Sequence, residues 1–150
     1  MKKINGFMSV TVAIVLLLLS GFKCSAAEID AINVTDGYVR ASIPGTAISS
    51  AYMTLANNSE NKVTLVGVSS KISPRIELHQ HSMDDGMMRM RQIVQIDINA
   101  NSSIVLKPHG LHLMIFDLTE QLTPETKVDI TLHFSNDQQL TVQLPVKALK

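Results

Sequence analysis

The sequence predicts an all-β domain, an antiparallel sandwich or barrel, and three observations carry that expectation. Apolar residues recur mostly with period two rather than 3.6. Clusters of Asn, Asp, Gly, Pro and Ser separate the apolar runs at short intervals. No long amphipathic helix interrupts them, which leaves antiparallel sheet as the way to bury one face of each run.

Residues 1–27 read as an export signal rather than as part of this fold. Lys2 and Lys3 form a positive n-region, residues 7–19 are almost unbroken apolar, and Ser25-Ala26-Ala27 offers a small-residue cleavage site. The apolar run is short for a membrane span, so the expected domains are a cleaved signal, 1–27, and a single domain, 28–150. A lipoprotein reading would use Cys24, but Phe22 and Lys23 before it are not the small residues that such processing requires. Cleavage after Ala27 removes Cys24, the only cysteine, so the mature chain has neither thiol nor disulfide and relies on its own core. About 123 residues suffice for that.

The predicted strands follow in order. Tyr52-Met53-Thr54-Leu55 and Val63-Thr64-Leu65-Val66-Gly67-Val68 come first, then Ile93-Val94-Gln95-Ile96-Asp97-Ile98 and Val128-Asp129-Ile130-Thr131-Leu132-His133-Phe134. Leu140-Thr141-Val142-Gln143-Leu144-Pro145-Val146 reads as an edge strand, because proline cannot donate to a ladder. Expected turns are Asp36-Gly37, Pro44-Gly45, Asn57-Asn58-Ser59, Asp84-Asp85-Gly86, Asn99-Ala100-Asn101, Pro108-His109-Gly110 and Ser135-Asn136-Asp137. Residues 69–75 admit a short helical turn, limited by Pro74. The sequons at Asn33, Asn57 and Asn101 are weak three-residue matches that fit turns without any glycan.

Loss of Lys2, Lys3 and Lys23 leaves ten Lys+Arg against thirteen Asp+Glu. A mildly acidic chain has no electrostatic footprint for nucleic acid. Nothing resembles a nucleophile beside its base or a carboxylate pair in an apolar setting, so an enzyme is not expected.

The chemistry concentrates in residues 79–114. Four of the five histidines lie there (His79, His81, His109, His112), with five of the eight methionines (Met83, Met87, Met88, Met90, Met114). Residues two apart on a strand share a face, so His112 and Met114 point together while Leu111, Leu113 and Ile115 point away. His79 and His81 pair in the same manner, and Glu77 extends their face. Taken singly, each has a plain reading: Met114, Met88 and Met90 as core filler, His112 and the two strand histidines as a polar face. Met83 and Met87, flanking an acidic turn, are hard to explain as packing. Together, imidazole and thioether without thiolate suit Cu(I) better than magnesium, calcium or zinc. The missing cysteine rules out a blue-copper carrier and a Cys-rich zinc site.

The spacing His79, ten residues, Met90, twenty-one residues, His112, one residue, Met114 resembles the H-x10-M-x21-H-x-M signature of the periplasmic copper chaperones called PCu(A)C. Tyr38-Val39-Arg40-Ala41, Ala51-Tyr52-Met53-Thr54-Leu55, Met88-Arg89-Met90-Arg91 and Leu106-Lys107-Pro108 extend the likeness over most of the mature chain. The resemblance implies a cupredoxin-like Greek-key β-sandwich in the periplasm. It implies one Cu(I) on His79, Met90, His112 and Met114. It also implies delivery to an acceptor protein, such as the copper-centre subunit of cytochrome c oxidase or another periplasmic chaperone. The chain is expected to be monomeric, without a membrane anchor after cleavage.

His109 stands where many members have glycine, so it is either an added ligand or only a neighbour. No tail site is expected at the Lys147-Ala148-Leu149-Lys150 end; auxiliary capacity would fall to His81, Met83, Met87, Met88 and His109, and Cu(II) would be met at most transiently. The alternatives are a buffer holding several copper ions and a metal-free assembly module.

Overall fold

The computed structural model describes residues 31–148; the expected export signal lies outside them. Ten strands follow one another: β1 (Ile32–Arg40), β2 (Ser49–Asn57), β3 (Val63–Ser69), β4 (Arg75–Asp84), β5 (Met87–Ile93), β6 (Ile96–Ile98), β7 (Ser102–Leu106), β8 (Leu111–Phe116), β9 (Lys127–Phe134) and β10 (Gln139–Lys147). No α-helix occurs among the described residues.

The strands order as β5-β4-β8-β2-β1-β10-β9-β3-β6, with β7 also on β2. The β1–β10 join is parallel and only two residue pairs long, Val39 with Val146 and Arg40 with Lys147. Across that narrow join the path divides into two layers, β5-β4-β8-β2-β1 with β7, and β10-β9-β3-β6. One apolar cluster fills the space between them. Leu55, Leu78, Leu113 and Ile115 come from the first layer, and Leu65, Ile96, Ile130 and Leu132 from the second. The alternation that predicted the strands explains this directly: Val128, Ile130, Leu132 and Phe134 are buried while Asp129 faces solvent.

Four expectations are corrected. Asp36-Gly37 is not a turn between strands but a bulge inside β1, where the pairing to β2 shifts between Thr35 and Tyr38. Asp36 takes φ 53°, and a Cβ on Gly37 would stand 2.4 Å from Leu144 Cδ2, so the bulge packs backbone against the second layer. The run Ile93 to Ile98 is not one strand. It breaks at Val94-Gln95, and the chain passes from β5 in the first layer to β6 in the second. Residues 69–75 form no helical turn but a tight turn closed by a Ser70–Ser73 bridge. β10 is not an edge strand, since it carries β9 on one side and β1 on the other. Pro145 is tolerated because the neighbouring Val146 amide donates to the Thr126 carbonyl.

Asn57, at the end of β2, is wholly buried and ties the two layers together. Its Nδ2 donates to the carbonyls of Asn61, Ile98 and Asn99, and its Oδ1 accepts from the Ser59 amide and hydroxyl. That occupancy leaves the Asn57 sequon inaccessible to a glycan. Asn57→Ala strands several buried carbonyls, so it should lower stability by about 2–3 kcal/mol. Urea denaturation with an unchanged m-value would read the loss; a variant within 0.5 kcal/mol of the parent, a roughly surface-like effect, would contradict this role.

Candidate metal centre

All the candidate donors on strands except Met87 lie on the outer face of the first layer, opposite the core. β4 and β8 pair antiparallel with His79 opposite His112 and Glu77 opposite Met114. β4 and β5 pair with His81 opposite Met90 and Met83 opposite Met88. On β2, Ser50 stands opposite Met114. Directly opposite residues share a face, so three adjacent strands present His79, His81, Met83, Met88, Met90, His112 and Met114 together. Neighbouring strands are about 4.8 Å apart, and positions two apart along a strand are roughly 6.7 Å apart. Long thioethers and imidazoles reach one another across such a patch.

A hollow of about 180 Å³ lies on this face, lined by Tyr52, His81, Met90, His109, His112 and Met114 among others. Organic-ligand pockets run from roughly 300 Å³ upward, so the hollow suits an ion and not a cofactor. His79 borders it: its ring centroid is 5.9 Å from that of His112. The core-filler readings of Met88 and Met90 are corrected, since Met90 is 47% exposed and Met88 58%. Both faces of β5 meet solvent from Met87 to Gln92. Met83 and Met87 are exposed at the Asp85-Gly86 turn, where positive φ at both residues makes the tight hairpin.

Hydrogen bonds decide which ring nitrogens are free. His112 is buried, and its Nδ1–H donates to the Gly110 carbonyl at 3.0 Å, so Nε2 keeps its lone pair for the hollow. The same carbonyl accepts the His81 backbone amide at 3.2 Å. Gly110 itself has little room, since a Cβ there would meet Lys107 Cγ at 3.2 Å. His79 Nε2–H donates to Glu77 Oε2 at 2.8 Å, which leaves Nδ1 as the free nitrogen. That Nδ1 is buried with no hydrogen-bond partner, as is Nδ1 of His81. Buried ring nitrogens are costly to leave unpaired; such orphans fit metal ligation. The hydrogen bond from His79, seconded by Arg75, holds the Glu77 carboxyl below the usual carboxylate range. Arg75 in turn lies 4.1 Å from the centre of the Phe116 ring.

The structure thus groups Met90, His112 and Met114 around the hollow, with His79 on its border. Of the auxiliary residues, His81 and His109 line it as well, Met88 and Met83 stand further out along the hairpin, and Met87 is on the opposite face of β5 beside Asp84. No three His, Cys, Asp or Glu side chains among the described residues already converge as a metal site, so a centre here draws on thioether sulfur. Two supports go beyond the sequence reasoning: the Gly110 carbonyl, and the hydrogen bond that Glu77, already expected on the histidine face, makes to His79. The alternation of Glu77 with His79 was the available signal for the second; nothing in the sequence pointed to the first. The fifth histidine, His133, sits on the outer face of the other layer, paired with Ser69.

A family model described as "LpqE-like: Putative lipoprotein LpqE-like" matches residues 32–146. The "Putative lipoprotein Lxx21020" of Leifsonia xyli subsp. xyli is 27% identical over 146 residues, covering 91% of this chain and 87% of its own. Among solved structures, CuI-DR1885 from Deinococcus radiodurans is 28% identical with a TM-score of 0.66, covering 83% of each chain. The copper-bound PCuAC domain from PmoF2 has a TM-score of 0.68 over 79% of this chain and 94% of its own. At 20% identity that likeness is one of fold. The expected cupredoxin-like all-β class therefore holds.

Burial is the main cause that lowers the His112 pKa, with His81 and His79 adding repulsion and the Gly110 hydrogen bond opposing. A histidine with a lowered folded pKa stays neutral in the native state while the unfolded chain takes up a proton. Its contribution to stability is therefore complete above about pH 6.5 and falls as pH drops from there through the lowered folded value. Metal-free protein should lose denaturation midpoint between pH 7.5 and 5, and His112→Gln should flatten that slope. Equal slopes in the two proteins would dissociate the buried imidazole from the pH dependence.

Proposed function

The chain belongs to the LpqE-like family and has the fold of the PCuAC domains, and from that premise we propose that it is a copper chaperone. It binds one Cu(I) through His79 Nδ1, Met90 Sδ, His112 Nε2 and Met114 Sδ and passes the ion to an acceptor protein. The observation that carries this reading is the gathering of thioethers and of ring nitrogens left without hydrogen bonds on one outer face beside a small hollow. The Cu(I) and copper-bound states named for DR1885 and the PmoF2 domain agree with the donor chemistry.

Neutral imidazole and thioether donors leave bound Cu(I) with its positive charge, so the ion is held by soft coordination and not by ion pairing. Met90 is on the open side, half-exposed, whereas His112 is buried and clamped. Ligand exchange then starts at Met90: an incoming donor replaces its sulfur first, and the histidines let go last. A thiolate-bearing acceptor wins the ion because thiolate is the stronger soft donor. The binuclear copper centre of cytochrome c oxidase is the acceptor class that the resemblance to the PCu(A)C chaperones implies. The protein is a carrier and not an enzyme, and it works as a monomer in the periplasm.

Because a relative and the family model carry lipoprotein names, acylation at Cys24 is weighed against simple cleavage after Ala27. Phe22 and Lys23 speak for cleavage, and the mass of the exported protein separates the two: a chain starting at Glu28 carries no lipid. A copper-buffering role is the second reading, favoured by the exposure of Met83, Met87 and Met88.

Anaerobic titration with Cu(I) against a competing chelator tests the proposal. One tight equivalent is expected, weakened by at least about tenfold in His79→Ala and in Met90→Ala. Several weaker equivalents that survive both changes would move the assignment to the buffer, and no tight binding at all would end it.

A further inference from the structure

A second cleft, of about 440 Å³, lies beside the hollow and is lined by Tyr38, Arg40, Pro108, His109, Lys147 and Ala148. Arg40, Pro108 and His109 line the hollow as well, so the two share a wall. The parallel join of β1 and β10 sets Arg40 directly opposite Lys147. The backbone beneath both cations is fixed: the Ala41 amide donates to the Lys147 carbonyl at 2.8 Å, and the Ser49 hydroxyl donates to the Arg40 carbonyl at 2.6 Å. The Lys147 ammonium stands 4.4 Å from the centre of the Tyr38 ring. That ring in turn packs against Tyr52, with centroids 5.1 Å apart.

Like charges directly opposite one another across a ladder are destabilising. Lys62, Arg75 and Arg91 each rest on a carboxylate. Among the described residues, neither Arg40 nor Lys147 has a carboxylate within ion-pair distance. Acidic residues are not scarce, since thirteen stand against ten basic ones from residue 28 onward. The chain leaves this repulsion unrelieved, and departures of that kind from local consistency concentrate at functional positions. A carboxylate brought from outside relieves it. The planar guanidinium of Arg40 suits a carboxylate through two parallel hydrogen bonds, and Lys147 adds a point charge. Anionic membrane surfaces are recognised by clusters of roughly four to eight basic residues, more than this cleft has.

We infer that the cleft docks an extended acidic segment of the protein with which copper is exchanged, its Asp or Glu side chains pairing with Arg40 and Lys147. The inference rests on the chaperone reading for the identity of that partner and on the cleft for its chemistry. The shared wall brings the docked segment alongside the hollow, on the side of the first layer where Met90 is open to solvent. Charge pairing at such a rim speeds encounter and fixes orientation more than it adds affinity. That suits a partner that has to leave once the ion has moved.

The test titrates an acetylated hexaglutamate peptide into metal-free protein at low salt, followed by amide nuclear magnetic resonance shifts. The shifts should concentrate at Tyr38, Arg40, His109 and Lys147, fade as salt rises, and be absent with hexaglutamine. Arg40→Gln and Lys147→Gln should each weaken the peptide by about fivefold or more. Lys71→Gln, beside Asp129 on the other layer, should bind as the parent does. Lys147 is exposed, so Lys147→Gln is expected to fold and to keep its Cu(I) affinity within about threefold of the parent. Undiminished binding in both cleft variants, or shifts spread equally to Lys71, would overturn the inference. Inorganic phosphate giving the same shifts at the same concentration would replace the segment with a small anion. Phosphatidylglycerol vesicles that bind through Arg40 and Lys147 while the peptide does not would replace it with a membrane. Either result overturns the proposal. A parent protein without a tight Cu(I) equivalent would sink the chaperone reading instead, and the peptide titration, made on metal-free protein, would still decide the cleft.

Discussion

The antiparallel register of β4 on β8 is the constraint on which the rest depends. It sets His79 opposite His112 and Glu77 opposite Met114. Strand side chains alternate with period two, so a slip of one residue would turn every donor inward and every core residue out. Leu78, Leu113 and Ile115 prevent this, because all three are buried in the cluster between the layers. Each fully buried aliphatic side chain is worth about 1.5–3 kcal/mol relative to exposure. The apolar face therefore enforces the geometry of the polar one, and the candidate donors need contribute nothing to folding to be held in place.

Support for the histidines comes from groups that are themselves fixed by the sheet. The Gly110 carbonyl accepts from the His81 amide and from the His112 ring, so one backbone group determines both a ladder bond and a tautomer. Glu77 is one alternation along β4 from His79 and orients it. Fixing the tautomer in advance matters for an ion that arrives and leaves, because the ring need not reorganise at each exchange. The methionines contrast with this. Met90 is half-exposed on a strand with solvent on both faces, and its flexible side chain adapts at little cost. Among the candidate donors, then, His112 is buried and hydrogen-bonded while Met90 stands open to solvent.

Much of this was legible in the sequence, and the failures have physical causes. The two-residue alternation in Leu111-His112-Leu113-Met114-Ile115-Phe116 gave both the strand and its two faces. The Asp84-Asp85-Gly86 hairpin was readable because few residues besides Gly, Asn and Asp accept positive φ. Period two is blind, however, to which layer a run joins. The run from Ile93 to Ile98 alternates from Val94 onward yet crosses between layers at Val94-Gln95, and Asp36-Gly37 looks like a turn although β1 continues through it as a bulge. Met88 and Met90 seemed interchangeable with core because alternation fixes a face and says nothing of whether anything covers it. The unpartnered ring nitrogens of His79 and His81 could not be read from sequence at all, since they are defined by what surrounds them.

β7 and β8 both pair with β2 and run in the same direction, and residues 107–110 leave the sheet between them before the Lys107 amide closes onto the Leu111 carbonyl. The excursion belongs to neither ladder, so residues can be exchanged at its tip without moving a strand. His109 is at that tip. The lining of the hollow, to which His109 contributes, is accordingly separable from the architecture of the domain. Descent with modification can alter the nitrogen content of the hollow one loop residue at a time, while the sandwich that presents it is inherited unchanged.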